Sequence, residues 1–188
     1  DIAFDGRRMW VVNNGSDSVS VYRVSDRMKV SENLTGEGPR RIICTGHEMW
    51  VSNYVDNTIT VFPVNNPGNA TTLSHPDMFG PMAMAFDGAR VWVASLDRDE
   101  VYVYRVHDKV MEMELTSSDG IGQKPNAFCF DGRYMWITCE DDDSVTVHRA
   151  SDGNLVHTAA TGGRPMRMAF DGANVWVTNN QDNTVSKY

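Results

Sequence analysis

Hydrophobic residues recur along this chain in short alternating runs, and no stretch follows a helical period. The runs are Ser18-Val19-Ser20-Val21-Tyr22, Thr58-Ile59-Thr60-Val61-Phe62, Glu100-Val101-Tyr102-Val103-Tyr104, Ser144-Val145-Thr146-Val147-His148 and Thr184-Val185-Ser186-Lys187-Tyr188. Their period of two is that of a β-strand. A Val/Ile-rich run carrying a Trp precedes each of them, as in Met9-Trp10-Val11-Val12 and Val175-Trp176-Val177-Thr178. Earlier still stands Ala3-Phe4-Asp5-Gly6, Ile43-Cys44-Thr45-Gly46, Ala85-Phe86-Asp87-Gly88, Cys129-Phe130-Asp131-Gly132 or Ala169-Phe170-Asp171-Gly172. Asp-Gly is the pair that best tolerates the positive φ of a tight hairpin. A weaker fourth strand is predicted at Lys29 to Leu34, Ala70 to Leu73, Val110 to Leu115 and Leu155 to Ala160. Loops with Gly and Pro then lead onward, as in Gly36-Glu37-Gly38-Pro39 and Gly162-Gly163-Arg164-Pro165.

These columns describe one unit repeated. Trp10, Trp50, Trp92, Trp136 and Trp176 stand roughly forty residues apart, the period of a propeller blade. The sequence therefore predicts an all-β fold, a five-bladed β-propeller of four-stranded antiparallel blades within a single domain, 1–188. The blades fall at approximately residues 1–37, 38–79, 80–123, 124–163 and 164–188. We label the strands of each blade A to D; the last blade stops after strand C and is expected to be three-stranded. The Trp column is expected to fill the gap between neighbouring blades, and the 11 Met residues to fill smaller ones.

Composition removes several function classes. The net charge of −8 argues against nucleic acid as a partner. No apolar run approaches the length of a membrane-spanning helix, so membrane insertion is not expected. The chain opens at Asp1-Ile2-Ala3-Phe4 without Met or a leader pattern, as expected of a trimmed chain or a piece of a longer one. Cys44, Cys129 and Cys139 lack metal-ligand spacing and read as small buried side chains.

Propeller geometry ranks the surfaces that could bind. D–A loops and B–C turns should emerge together around the mouth of the axial channel. Arg41 and Arg167 stand two places after the loop Pro, with Ala83 and Ala127 in the same column and Asp1 equivalent in the first blade. Beside them should lie the ends of strand B, including Asn13, Asn53 and Asn179. Arg41, Arg167, Asn13, Asn53 and Asn179 are thus the candidate ligand-binding set, suited to a sugar, a carboxylate or another polar ligand. The alternative is that the Asn residues cap turns and the arginines are solvated. The B–C turns are acidic, most of all Glu140-Asp141-Asp142-Asp143. Oxygen-rich turns can hold calcium, but Asp and Asn before Ser or Thr are also what tight turns use. No cofactor is expected; a calcium or magnesium ion is the alternative.

The phrase Gly-x-x-Pro-x-x-Met-Ala-Phe-Asp-Gly-x-x-Val-Trp-Val-Thr-Asn-x-x-Asp-Asn-Thr-Val, at Gly162 to Val185, resembles the repeats of YVTN-type surface propellers, NHL-repeat propellers and the streptogramin B lyase. The resemblance spans essentially the whole chain and implies the fold; propellers of this kind host unrelated activities. The lyase resemblance implies a Glu three residues after the blade Trp, part of a magnesium site with a catalytic His. That column here reads Asn13, Asn53, Ser95, Cys139 and Asn179, with Glu140 one place further on. The five histidines occupy different repeat positions. The expected function is therefore a non-catalytic recognition or scaffold module, monomeric, for a protein or glycan partner. A metal-assisted, lyase-like enzyme is the alternative.

Overall fold

The computed structural model describes residues 1–188. Nineteen strands form five antiparallel sheets, four in the order A-B-C-D or its reverse and one in the order A-B-C. The first holds β1 (Ile2–Phe4), β2 (Arg8–Asn13), β3 (Ser18–Arg23) and β4 (Lys29–Leu34). The second holds β5 (Pro39–Cys44), β6 (Glu48–Asn53), β7 (Thr58–Pro63) and β8 (Thr71–Ser74). The third holds β9 (Pro81–Phe86), β10 (Arg90–Ser95), β11 (Glu100–Arg105) and β12 (Met111–Leu115). The fourth holds β13 (Pro125–Phe130), β14 (Tyr134–Cys139), β15 (Ser144–Arg149) and β16 (Leu155–Ala160). The last sheet has the three expected strands, β17 (Pro165–Phe170), β18 (Val175–Asn179) and β19 (Thr184–Lys187). The chain resolves into two compact units, Asp1–Met82 and Ala83–Tyr188, with the boundary inside β9.

The recurring phrase has a local physical cause at each position. The hairpin glycines Gly6, Gly46, Gly88, Gly132 and Gly172 take φ between 94° and 99°, where a side chain would be strained. The preceding Asp has a separate task. Asp87 accepts the backbone amides of Ala89 and Arg90 at 2.9 and 2.7 Å, and the Trp92 indole N–H at 2.9 Å. Asp5, Asp131 and Asp171 repeat this toward Trp10, Trp136 and Trp176, with indole contacts of 2.8, 2.8 and 2.7 Å. In the second blade Thr45 replaces Asp, and the Trp50 indole instead donates to Glu48 at 3.2 Å.

The anchored Trp fixes how sheets stack within each unit. In the first unit Trp10, Val12, Val19 and Val21 of one sheet pack on Ile42, Met49, Val51 and Phe62 of the next. In the second unit Trp92, Val101 and Val103 meet Met135, Ile137 and Ala150. The third core joins Cys129, Val145 and Val147 to Val175 and Val177. Neighbouring sheets approach along their strand-A edges, β1 against β5 and β13 against β17. Strand D is the exposed edge, most clearly in β16.

Candidate functional site

Three of the four D–A loops are clamped by carboxylates of two successive B–C turns; in the remaining one the Gly80 amide donates to Asn57 Oδ1 at 2.8 Å. In the first unit Asp17 accepts the Gly38 amide at 2.9 Å, and Asp56 accepts the Glu37 amide at 2.8 Å. In the second unit Asp99 holds Lys124 and Asp142 holds Gln123, both at 2.7 Å. Asp143 holds Arg164 at 2.8 Å and Asp182 holds Gly163 at 2.6 Å. Loops and turns thus share one end of the sheets. The acidic B–C turns owe their composition to this clamp, and no three His, Cys, Asp or Glu side chains converge as a metal site.

The side-chain nitrogens of the Asn column are engaged in a similar way, whereas Asn53 Oδ1 and Asn179 Oδ1 are buried without a hydrogen-bond partner. The side-chain amides of Asn13, Asn53 and Asn179 each donate to two strand-C hydroxyls: Ser18 and Ser20, Thr58 and Thr60, and Thr184 and Ser186, at 2.8–3.2 Å. Asn53 and Asn179 are buried. Gly36 and Gly162 cover them so closely that an added Cβ would lie 2.8 and 2.7 Å from the amide nitrogens. The Asn residues are therefore braces that position the turns. Arg41, half-buried, sits on β5 opposite Ser52 in the first unit. Arg167, exposed, sits on β17 opposite Thr178 in the second and donates to the Met166 carbonyl at 2.8 Å.

A denser polar cluster lies one residue away from the column chosen on sequence grounds. The ladder slips at the start of strand A, between Pro125 and Ala127 and again between Pro165 and Arg167. This leaves Asn126 and Met166 as bulge residues, a device that re-aims side chains. Asn126 is buried and donates to Glu140 Oε2 at 2.9 Å and to Met166 Sδ at 3.2 Å. Arg164 grips Glu140 Oε1 through Nε at 3.1 Å and also through Nη2. Lys124 pairs with Asp141 at 2.6 Å. A cavity of ≈ 350 Å³ opens beside that pair, lined also by Leu96, Asp97, Asp99 and Gln123.

The two cations occupy unusual backbone. Lys124 and Arg164 take φ of 50° and 55° immediately before a Pro, where the other loops place Gly38 and Gly80. A side chain there costs about 1–2 kcal/mol, so the positions are held against local preference. The carboxylates raise both cations' pKa values: Lys124 donates a hydrogen bond to Asp141, and Arg164 donates to Glu140. Glu140 is itself 8% exposed with both oxygens engaged. The sequence carried a signal for this cluster in a polar Asn126 within an apolar strand and in Arg164 at a glycine position. The bulge that brings them together was not written in the repeat.

No histidine joins the cluster. His148 is buried, its ring nitrogens 3.0 Å from the Gly153 carbonyl and 3.1 Å from Thr146 Oγ1. Burial lowers its pKa. His47, His107 and His157 are exposed. Cys139, in the column where the lyase resemblance implies Glu, is buried against Gly122, and burial raises its thiol pKa.

Residues 49–187, most of the chain, match the model of the lactonase family of seven-bladed β-propellers. The chain belongs to that family. Solved structures agree on the fold of this lactonase-family chain. The hydrazine synthase of Kuenenia stuttgartiensis superposes with a TM-score of 0.79 at 16% identity, over 93% of this chain and 53% of that one. A Bacteroides uniformis protein assigned as a 6-phosphogluconolactonase gives 0.80 at 16% identity, over 100% of this chain and 65% of that one. A streptogramin B lyase gives 0.75 at 13% identity, over 96% and 64%. The lactonase-family chain thus spans 53% to 65% of the length of these structures. No curated protein sequence matches it significantly.

Proposed function

We propose that this chain is a recognition module that binds a hydroxyl-rich ligand, a glycan or a glycan-bearing protein, without converting it. The observation that carries this reading is the closed network of Asn126, Glu140 and Arg164 at the strand-A ends of the last two sheets. The network holds the exposed Arg164 guanidinium in place as a fixed donor to hydroxyl groups. It offers no free base: both Glu140 oxygens are taken, and the buried His148 is hydrogen-bonded elsewhere. General acid–base chemistry needs a group within hydrogen-bond reach of the transferred proton. Arg167 is a flanking contact in this reading, Arg41 belongs to the other unit, and Asn13, Asn53 and Asn179 hold the turns in place. A glycan array probed with the whole chain tests it. Binding to a defined set of glycans, lost in Arg164→Ala, is the expected result; silence across the array would overturn the glycan reading.

Membership in the lactonase family favours one second reading, hydrolysis of a sugar lactone. Glu140 would then have to leave Arg164 and act as base toward water. A pH-stat assay with gluconolactone distinguishes the two. The leading reading expects only the uncatalysed rate, whereas turnover lost in Glu140→Gln would establish the second.

A further inference from the structure

The opposite end of the second unit, where the A–B hairpins lie, carries another concavity. Its volume is ≈ 480 Å³, and its lining includes Arg90, Arg133 and Arg149 with Phe130 and Asp87. Asp87 accepts two backbone amides and the Trp92 indole and also faces Arg90 at 4.0 Å, so its charge acts on Arg90. Arg90 is oriented by Glu112 at 2.6 Å and points its other nitrogens at the Ala150 and Ser151 carbonyls, at 3.5 and 3.4 Å. Arg149 is oriented by Asp152 at 2.8 Å. Arg133 has no carboxylate partner; its guanidinium lies 5.0 Å from the Tyr134 ring centroid. Of the three guanidinium groups around this cavity, Arg133 is the one whose charge no adjacent carboxylate matches.

We propose that this cavity is a site for a small oxyanion, the phosphate or carboxylate group of a metabolite-sized molecule. Arg133 and Arg149 supply the planar donor forks suited to such groups. Arg90 adds charge from behind, and Phe130 forms an apolar wall for the body of the ligand. The site is independent of the Asn126–Glu140–Arg164 cluster, so either can fail without the other.

Thermal unfolding of the chain in sodium phosphate, sodium acetate and sodium chloride at matched ionic strength provides the test. Phosphate at about ten times its Kd is expected to raise Tm by roughly 3–6 °C above the chloride control. A rise with acetate alone would identify a carboxylate as the ligand group. Arg133→Gln is expected to weaken the response at least about tenfold. Arg133→Lys should keep part of it, because a point charge replaces the fork. Equal shifts in chloride, or an undiminished response in Arg133→Gln, would overturn the site. Circular dichroism of the exposed Arg133 variants checks that each is folded.

Discussion

At the scale of single residues, the Asp of each Asp-Gly hairpin does more than make a turn. It links the hairpin to the indole five residues on, and so ties a local turn to the packing between sheets. The consequence depends on burial. Asp87 is buried, so Asp87→Ala would strand two amides and an indole N–H at a cost of about 1–3 kcal/mol. Asp171 makes the same bonds in the open, where water can replace it, and Asp171→Ala should cost clearly less in a urea titration. The pH dependence follows from the same contacts. The Trp176 indole hydrogen bond, followed by the Asn174 and Ala173 amides, lowers the Asp171 pKa. At Asp5 burial pushes upward, but the Trp10 indole and the Arg8 and Arg7 amides prevail and lower it. A depressed carboxylate contributes stability in full above its ordinary pKa and loses it as pH falls through the lower folded value. His148 behaves with the same sign: burial lowers its pKa, so protonation favours unfolding below about pH 6.5. Melting curves should show Tm falling from pH 7 to pH 5, with a smaller fall in His148→Phe, the residue type that Phe62 supplies in the second blade.

At the scale of elements, the blade was legible because each strand is a row of interchangeable parts. Period-two alternation, a hairpin Gly and Trp marked strands A to C in all five blades, and the four D strands lie where the weaker signal put them, within a residue or so. The sequence could not show that equivalent columns have different surroundings. Trp10, Trp50 and Trp92 are fully buried, whereas Trp176 is 39% exposed. Its strand-C partner is Lys187 where the other blades have Val, and the ammonium lies 5.1 Å from the ring centroid. Val185, whose counterparts Val19, Ile59, Val101 and Val145 are buried, is exposed as well. Trp92→Ala should therefore cost about 3–5 kcal/mol and Trp176→Ala less than about 2 kcal/mol. Chemical denaturation of the two variants side by side reads the difference directly.

At the scale of the molecule, family and fold are secure, and the open matter is what its end surfaces hold. Loops and turns do meet at one end of the sheets, as the repeat predicts. Two physical features of that end were not legible in the sequence. Asn53 and Asn179 look like ligand contacts until their amides are seen bracing strand C beneath Gly36 and Gly162. Asn126 looks like an outlier in an apolar strand until the bulge carries it to Glu140. The central claim is that this cluster recognises a ligand. Titration of the isotope-labelled chain with its best array glycan, followed by NMR, tests that claim most directly. The account predicts shifts at the Asn126 side-chain amide, Arg164 Nε–H and the Met166 methyl group, with no change to the glycan's own spectrum beyond broadening. Saturable binding that leaves those three signals unmoved, or conversion of the glycan during the titration, would contradict it.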